Sequence, residues 1–335
     1  MTIIVLGTIS LVTLFILSLT FGTIPISFSD AISSTLYLVE HWGNPATLNE
    51  QIIYLLRMPR AIAVIAVGAG LATAGTVMQA LIKNPLVDPY ITGVSSGASF
   101  GVALTVLGGV LLTGVYSFIS IPIAAIVGAI GAFFLTMALA EGSGGRAMSY
   151  VLAGVIISIG LSAGTTLLMT FNSEKLHGIL FWMFGSFAYM TWNNAIMITI
   201  PVAVILGIIL FYARDLNTLL LGDEQAQQLG LNIRALKKIM VVLVSILTAL
   251  CVAFCGVIGF VGLIVPHTTR ILVGGDHRLL LPGSMLVGAN VLLVADIACK
   301  TLMVPTELPI GAVIAAIGVP FFAYLMMREG KRYAM

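Results

Sequence analysis

Stretches of about twenty apolar residues, the length a helix needs to cross roughly 30 Å of hydrocarbon, follow one another along almost the whole chain with only short polar connections between them. A soluble fold has no place for so many. Only 8% of the 335 residues are charged and 59% are hydrophobic, where a soluble domain carries roughly 25% charged residues. Lipid offers the backbone no hydrogen-bond partner, so a spanning segment is either a helix or a strand of a closed barrel, and a barrel would show short alternating stretches. The expected fold is therefore all-α, a polytopic membrane helical bundle.

Hydropathy places ten candidate spans, near residues 2 to 21, 61 to 82, 92 to 112, 118 to 140, 149 to 171, 191 to 212, 239 to 258, 259 to 273, 281 to 302 and 309 to 327. Met1 to Thr20 lacks the basic start and small-residue cleavage site of a signal peptide and reads as the first span. With the N-terminus inside, the inner loops hold Lys83, Arg146, Arg214, Arg234, Lys237, Lys238, Arg270, Arg278, Arg328, Lys331 and Arg332, and the outer ones Arg57, Arg60, Lys175 and Lys300. Eleven against four is the bias of the positive-inside rule, so both termini are expected in the cytoplasm of a multi-pass cell-membrane protein. Residues 1–335 read as one transmembrane domain with two longer polar stretches, external at 22–60 and cytoplasmic at 213–238. In the first, Ser27-Phe28-Ser29-Asp30 starts a surface helix, Ala31 to His41, and Gly43-Asn44-Pro45 ends it. Two spans read as irregular at their start: the third, after Asn84-Pro85-Leu86-Val87-Asp88-Pro89, and the short eighth. Such backbone at membrane depth commonly lines a cavity.

Motifs exclude several functions. No GxxxxGK[ST] or HExxH occurs, so the chain is not its own ATPase, and no His or carboxylate pair has metal-ligand spacing on one helix face. Cys251, Cys255 and Cys299 lie in apolar stretches without CxxC spacing and read as packing residues. A net charge of +2 without a basic run gives no reason to expect nucleic acid, and no bound cofactor is expected. Gly142 to Gly145 is a plain turn. Asp296 is the one acid clearly inside a span, and Lys300, four residues on, shares its helix face; an ion pair and a proton relay are both open readings. His267, after Pro266, reads as a hydrogen-bonded helix-end residue. In the inner stretch, Asn217 to Gly230 reads as two short helices divided by Gly222, with Asp223 capping the second and Gly230 stopping it. A linker on the membrane and a handle gripped by a soluble motor fit this composition equally.

The residues resemble a known family, the FecCD/BtuC-like permeases of type II ATP-binding-cassette (ABC) importers for iron-siderophores, haem and cobalamin. The resemblance covers about residues 55 to 330. It rests on Arg57-Met58-Pro59-Arg60, Gly68 to Gly75 with Gln79, Asn84-Pro85-Leu86, Pro89, Gly93 and Gly97-Ala98. It continues in Leu221-Gly222-Asp223-Glu224 with Ala226 and Leu229-Gly230, Gly259 to Leu263 with Pro266-His267 and Arg270, and Asp276-His277-Arg278 with Leu281-Pro282. Asp296 and Glu307-Leu308-Pro309-Ile310-Gly311 close it.

The resemblance implies a homodimer or a pair of homologous permeases, with the path along the dimer interface. It also implies cytoplasmic ATP-binding subunits that use ATP and Mg, and an extracytoplasmic substrate-binding protein. Gly222, Asp223, Glu224, Gln225, Gln228, Leu229 and Gly230 then form the coupling helix on the ATPase. Arg57 and Arg60 receive acidic side chains of the binding protein, with Lys300 at a third basic position where relatives have Arg, and Asn84 and Leu86 narrow the cytoplasmic gate. The implied function is a non-enzymatic permease subunit moving a metal chelate inward, iron-siderophore first and cobalamin or haem next. An ion-coupled secondary transporter is the alternative.

Overall fold

The computed structural model describes residues 2–41, 43–109, 119–145, 147–171 and 176–333. The tail of the expected third span at 110–112, and Arg146 and Lys175 of the charge count, lie outside the described residues. So do the side chains of Arg328, Lys331 and Arg332.

The helices run in chain order as α1 (Thr2–Thr20), α2 (Phe28–Glu40), α3 (Leu48–Ile52), α4 (Met58–Ile82), α5 (Val94–Leu107), α6 (Ser120–Gly142), α7 (Ala147–Phe171) and α8 (Leu176–Met183). They continue as α9 (Trp192–Phe211), α10 (Ala213–Leu220), α11 (Asp223–Gln228), α12 (Ile233–Cys255), α13 (Val261–Val273), α14 (His277–Thr301) and α15 (Ile310–Tyr333). Six stretches are long and apolar enough to cross a membrane, and Ile4–Thr20, Val94–Leu107, Val261–Val273 and Ile310–Tyr324 are shorter apolar helices. Each of the ten expected spans falls on one of these.

Helix α4 is the centre. Between Arg60 and Lys83 it has no charged residue, and every residue from Pro59 to Leu81 except Ile62 and Ile65 is buried. A helix apolar all round belongs in the core. Its glycines let neighbours approach to backbone contact, the packing favoured where lipid supplies no hydrophobic drive between helices. A Cβ added at Gly75 would stand 1.7 Å from the Gly262 carbonyl oxygen on α13, and one at Gly68 would stand 2.5 Å from that of Gly288 on α14. At the other extreme, α7 turns Leu152, Ile156, Ile159, Leu167 and Phe171 outward, away from the bundle.

Three boundaries differ from the expectation. The span expected from 61 begins earlier, because α3 and a π turn at Ile53–Arg57 run into α4 and make one helical stretch from Leu48 to Ile82. Pro59 lies just past the π turn and does not interrupt the stretch; a π turn is one of the backbone irregularities by which a helix changes its hydrogen-bond register. The stretch 172–190, read as a connection, contains α8, whose Ile179 packs on Ala103 and Leu107. His267 is not at a helix end but in the middle of α13, buried beside Pro266.

The surface helix does form: Ser27 Oγ accepts the Asp30 N–H at 3.1 Å, and Ala31 and Leu38 pack with Leu19, Ile26 and Ile53. Both expected irregular starts are present and they meet. Pro89 and Tyr90 open a 3₁₀ turn ahead of α5, Pro89 fills the space beside Gly262, and Tyr90 Oη donates to the Ile258 carbonyl at 3.0 Å.

Gly75→Ala should lower the melting temperature of the detergent-solubilised protein, by the equivalent of about 1–3 kcal/mol for an overpacked contact. Gly131→Ala, with nothing within 4 Å of its added methyl, should not lower the melting temperature and should raise it by the equivalent of up to about 1 kcal/mol of helix propensity.

Candidate functional site

The expected site residues gather at the two ends of α4, separated by its length of about 37 Å. At its C-terminal end, Lys83 takes a left-handed conformation (φ 55°), and its N–H and that of Asn84 both donate to the Gln79 carbonyl. Asn84 Oδ1 then accepts the Leu86 N–H at 2.9 Å, closing a tight turn that leaves Leu86 about half exposed. The two expected gate residues therefore form one loop, held to the core by Val87 and Pro89, which are buried. Lys83, Arg234, Lys237, Lys238 and Arg278 cluster at this end, which the positive-inside rule assigns to the cytoplasm.

The expected pair of short helices lies beside this loop. Helix α10 buries Ala213, Leu216 and Leu219 against the bundle. Its Asn217 is fixed to the start of α14: Nδ2 donates to Asp276 Oδ1 at 2.6 Å and Oδ1 accepts the His277 N–H at 2.8 Å. Gly222 (φ 110°, ψ 155°) then turns the chain, and α11 buries Ala226 alone. Glu224, Gln225, Gln228 and Leu229 are exposed, Leu229 at 67%. Gly230 (φ 86°) ends the helix, and the Leu231 N–H returns to the Ala226 carbonyl at 3.1 Å.

Asp223 differs from its expected part. Gly222 is the cap residue, and the Asp223 side chain makes no capping bond. Instead its Oδ1 accepts from Lys83 Nζ at 2.8 Å and its Oδ2 from Lys237 Nζ at 2.7 Å. The hydrogen bonds from Lys237 and Lys83 hold its carboxyl below the usual carboxylate range. Both pairs are 32–49% exposed, so each stabilises the fold by only about 0.2–1 kcal/mol. A cleft of about 480 Å³ opens here, with Lys83, Gly222, Asp223, Glu224 and Lys237 on its walls.

At the opposite end the three expected docking cations are turned inward. Arg57 is 7% exposed and its guanidinium donates to the carbonyls of Leu19 (2.6 Å), Thr20 (2.8 Å) and Ile24. Arg60 donates through Nε to Asp296 at 2.9 Å and, as a bidentate fork, to Glu307 at 2.8 and 2.9 Å. Lys300 Nζ donates to the Ser18 carbonyl and hydroxyl, both at 2.9 Å. Its distance to Asp296 Oδ2 is 3.3 Å, an ion pair out of hydrogen-bond direction. The Asp296–Lys300 pair read from the sequence is present, and Arg60 is its unforeseen third member. These bonds join α1, α4, α14 and the loop before α15. In this conformation every one of the three cations is engaged within the chain, so none offers a free charge at the surface.

Among the described residues, no three His, Cys, Asp or Glu side chains are placed to hold a metal ion. The three cysteines are buried and free.

Arg60→Met would leave Asp296 and Glu307 short of a counter-charge, the situation that costs about 3–5 kcal/mol in buried pairs; folded yield after extraction should collapse, and Arg60→Lys should recover part of it. For Asp223 the depressed carboxyl means that its contribution is complete above its ordinary pKa and is lost as pH falls through the lower folded value. Hydrogen-exchange protection of α11 should hold level from neutral pH to about 4 and decline below, and Asp223→Asn should be less protected throughout without that decline.

The model of the FecCD transport family matches residues 10–328. A cobalamin import system permease of Halobacterium salinarum is 38% identical over 288 residues, 85% of this chain and 75% of that one. A hemin transport system permease of Yersinia pestis is 37% identical over 280 residues, 83% of each. Among solved structures, an inward-facing transporter described as metal-chelate ABC type superposes with a TM-score of 0.85 at 34% identity, covering 98% of this chain and 99% of that one.

Proposed function

The chain belongs to the FecCD transport family, and on that premise we propose that it is the permease subunit of an ABC importer that carries a metal chelate into the cytoplasm. The observation that supports this most is α11, a short rigid helix exposed on the basic end of the bundle. It has Gly222 and Gly230 at its limits and Leu229 projecting at 67% exposure. A linker folded back on the bundle would bury its apolar side chain there, whereas a helix seated in a soluble ATPase presents it outward.

In this proposal two copies of the chain, or one copy and a homologous permease, sit on a pair of ATP-binding subunits that hydrolyse MgATP. Nucleotide-driven closure of those subunits moves α11, and the bundle exchanges between states that ATP binding favours unequally. Asn84 and Leu86 belong to the gate that this motion opens. A binding protein delivers cargo at the opposite end. Arg57 and Lys300 brace that face from beneath, and Arg60 takes a carboxylate from outside only if Glu307 releases its fork. The cargo class is a chelated metal, since cobalamin and hemin, the cargoes in the names of two relatives, share that chemistry; ferric siderophore stands first, then cobalamin or haem.

The ion-coupled alternative needs a titratable group at membrane depth. Asp296, the acid read from the sequence for that part, is bound by Arg60 and faced by Lys300, and so is committed to an ion-pair network within the chain.

Leu229→Asp tests the handle. The variant should insert and fold normally, yet co-purify with at least fivefold less ATP-binding subunit, a loss of about 1 kcal/mol or more in a buried contact. Undiminished co-purification together with normal uptake would refute the assignment of α11.

A further inference from the structure

The way α11 is attached raises a mechanical question. Helix α10 is fixed to the bundle by its apolar face and by Asn217 on Asp276 and His277. Helix α11 follows it across Gly222, which has no neighbour within 4 Å of where a side chain would be. That is a hinge, and a hinge absorbs displacement. On its other side α11 runs into α12 through Leu229–Asn232, and Gly230 (φ 86°) there is a second open glycine turn; a push on α11 would pivot the helix between the two glycines unless a side-chain contact ties it to the bundle.

Beside the Ala226 methyl, which is buried in the main core, Asp223 supplies the polar tie. It is the first residue of α11, one step past the hinge. Its two carboxylate oxygens are taken by Lys83 at 2.8 Å and Lys237 at 2.7 Å. Among the described residues, no other hydrogen bond joins α11 to α4 or α12. Lys83 is not simply another surface cation. Its backbone is the left-handed end of α4 and the residue directly before the Asn84–Leu86 turn. Displacement of the Asp223 carboxylate therefore acts on the backbone that sets the direction of the gate loop. Lys237, in the second turn of α12, holds the other oxygen and fixes the direction of pull.

We infer that the Lys83–Asp223–Lys237 bridge is the strut that carries motion of α11 past the Gly222 hinge to the Asn84–Leu86 loop. Lys83 and Lys237 are thus positioning residues for transport, and Asp223 transmits inward and does not face the ATPase. The small worth of half-exposed pairs is compatible with this task, because transmission requires a fixed distance and not a large contribution to stability. The inference rests on the reading of the chain as an ATP-driven permease.

The test uses the permease assembled with its ATP-binding subunits, and needs no cargo. In a Leu86→Cys background, the rate of thiol modification by a membrane-impermeant maleimide is measured from the cytoplasmic side, with and without ATP plus vanadate. Nucleotide should change that rate, and Lys83→Met should shrink the change by about fivefold or more, the lower range of energetic coupling between sites. Subunit stoichiometry should stay unaltered. Lys83→Arg, which keeps the charge and reach, should restore the change. A full nucleotide response in Lys83→Met, or loss of assembly in step with loss of response, would overturn the strut and leave the permease reading standing. Absence of any complex between the unaltered chain and ATP-binding subunits would overturn the permease reading, and the strut with it.

Discussion

The contact on which the rest of the structure depends is the approach of α4 to α13 and α14 at backbone distance. Lipid removes the hydrophobic incentive for helices to associate, so dense packing must supply it, and Gly68 against Gly288 and Gly75 against Gly262 provide the closest surfaces available to helices. Because α4 is held along its whole length, its two ends are placed reproducibly about 37 Å apart. Every expected functional residue lies near one of those ends. The same contact explains the broken helices: Pro89 occupies the space beside Gly262, so the start of α5 and the start of α13 are wedged together inside the bundle and Tyr90 closes the polar gap between them.

The two ends differ in how their charges are used. At the outer end, Arg60, Asp296, Glu307 and Lys300 form a mostly buried network, which binds four parts of the chain together and is costly to break. At the inner end, Asp223 and its two lysines are half exposed, and Gly222 allows movement. Stability is concentrated at the end that the positive-inside rule assigns to the outside, and freedom at the end proposed to meet the ATP-binding subunits. That asymmetry suits the proposed device, driven from one side only, in which α11 must move relative to the core and the core must not come apart.

Much of this was legible in the sequence because lipid makes strong demands. Apolar length alone located the helices, and the positions of Pro85, Pro89 and Gly222 marked breaks whose causes are local. Ser27 and Gly230 read correctly because caps and stops depend on a few neighbouring atoms. What could not be read was tertiary pairing. Asp296 and Lys300 are four apart on one helix, so their pairing follows from helix geometry, whereas Arg60 is 236 residues away and no local rule connects it. Glu307 stood in the family motif without a partner assigned to it. For the same reason Asp223 read as a cap: the nearby backbone N–H groups are visible from sequence, and Lys83, 140 residues away, is not. Arg57 read as an outward cation because the sequence does not show that the last turn of α1 and Ile24 beyond it turn their carbonyls toward it.

The most direct measurement of the central reading is uptake by the reconstituted importer. The chain is placed in liposomes with its ATP-binding subunits and binding protein, and ferric siderophores, haem, cobalamin and molybdate are offered side by side with and without internal ATP. The expected result is accumulation of one metal chelate that requires ATP and is indifferent to an uncoupler. Accumulation that persists without ATP and collapses with the uncoupler, or none at all from a complex shown to be assembled, would contradict it.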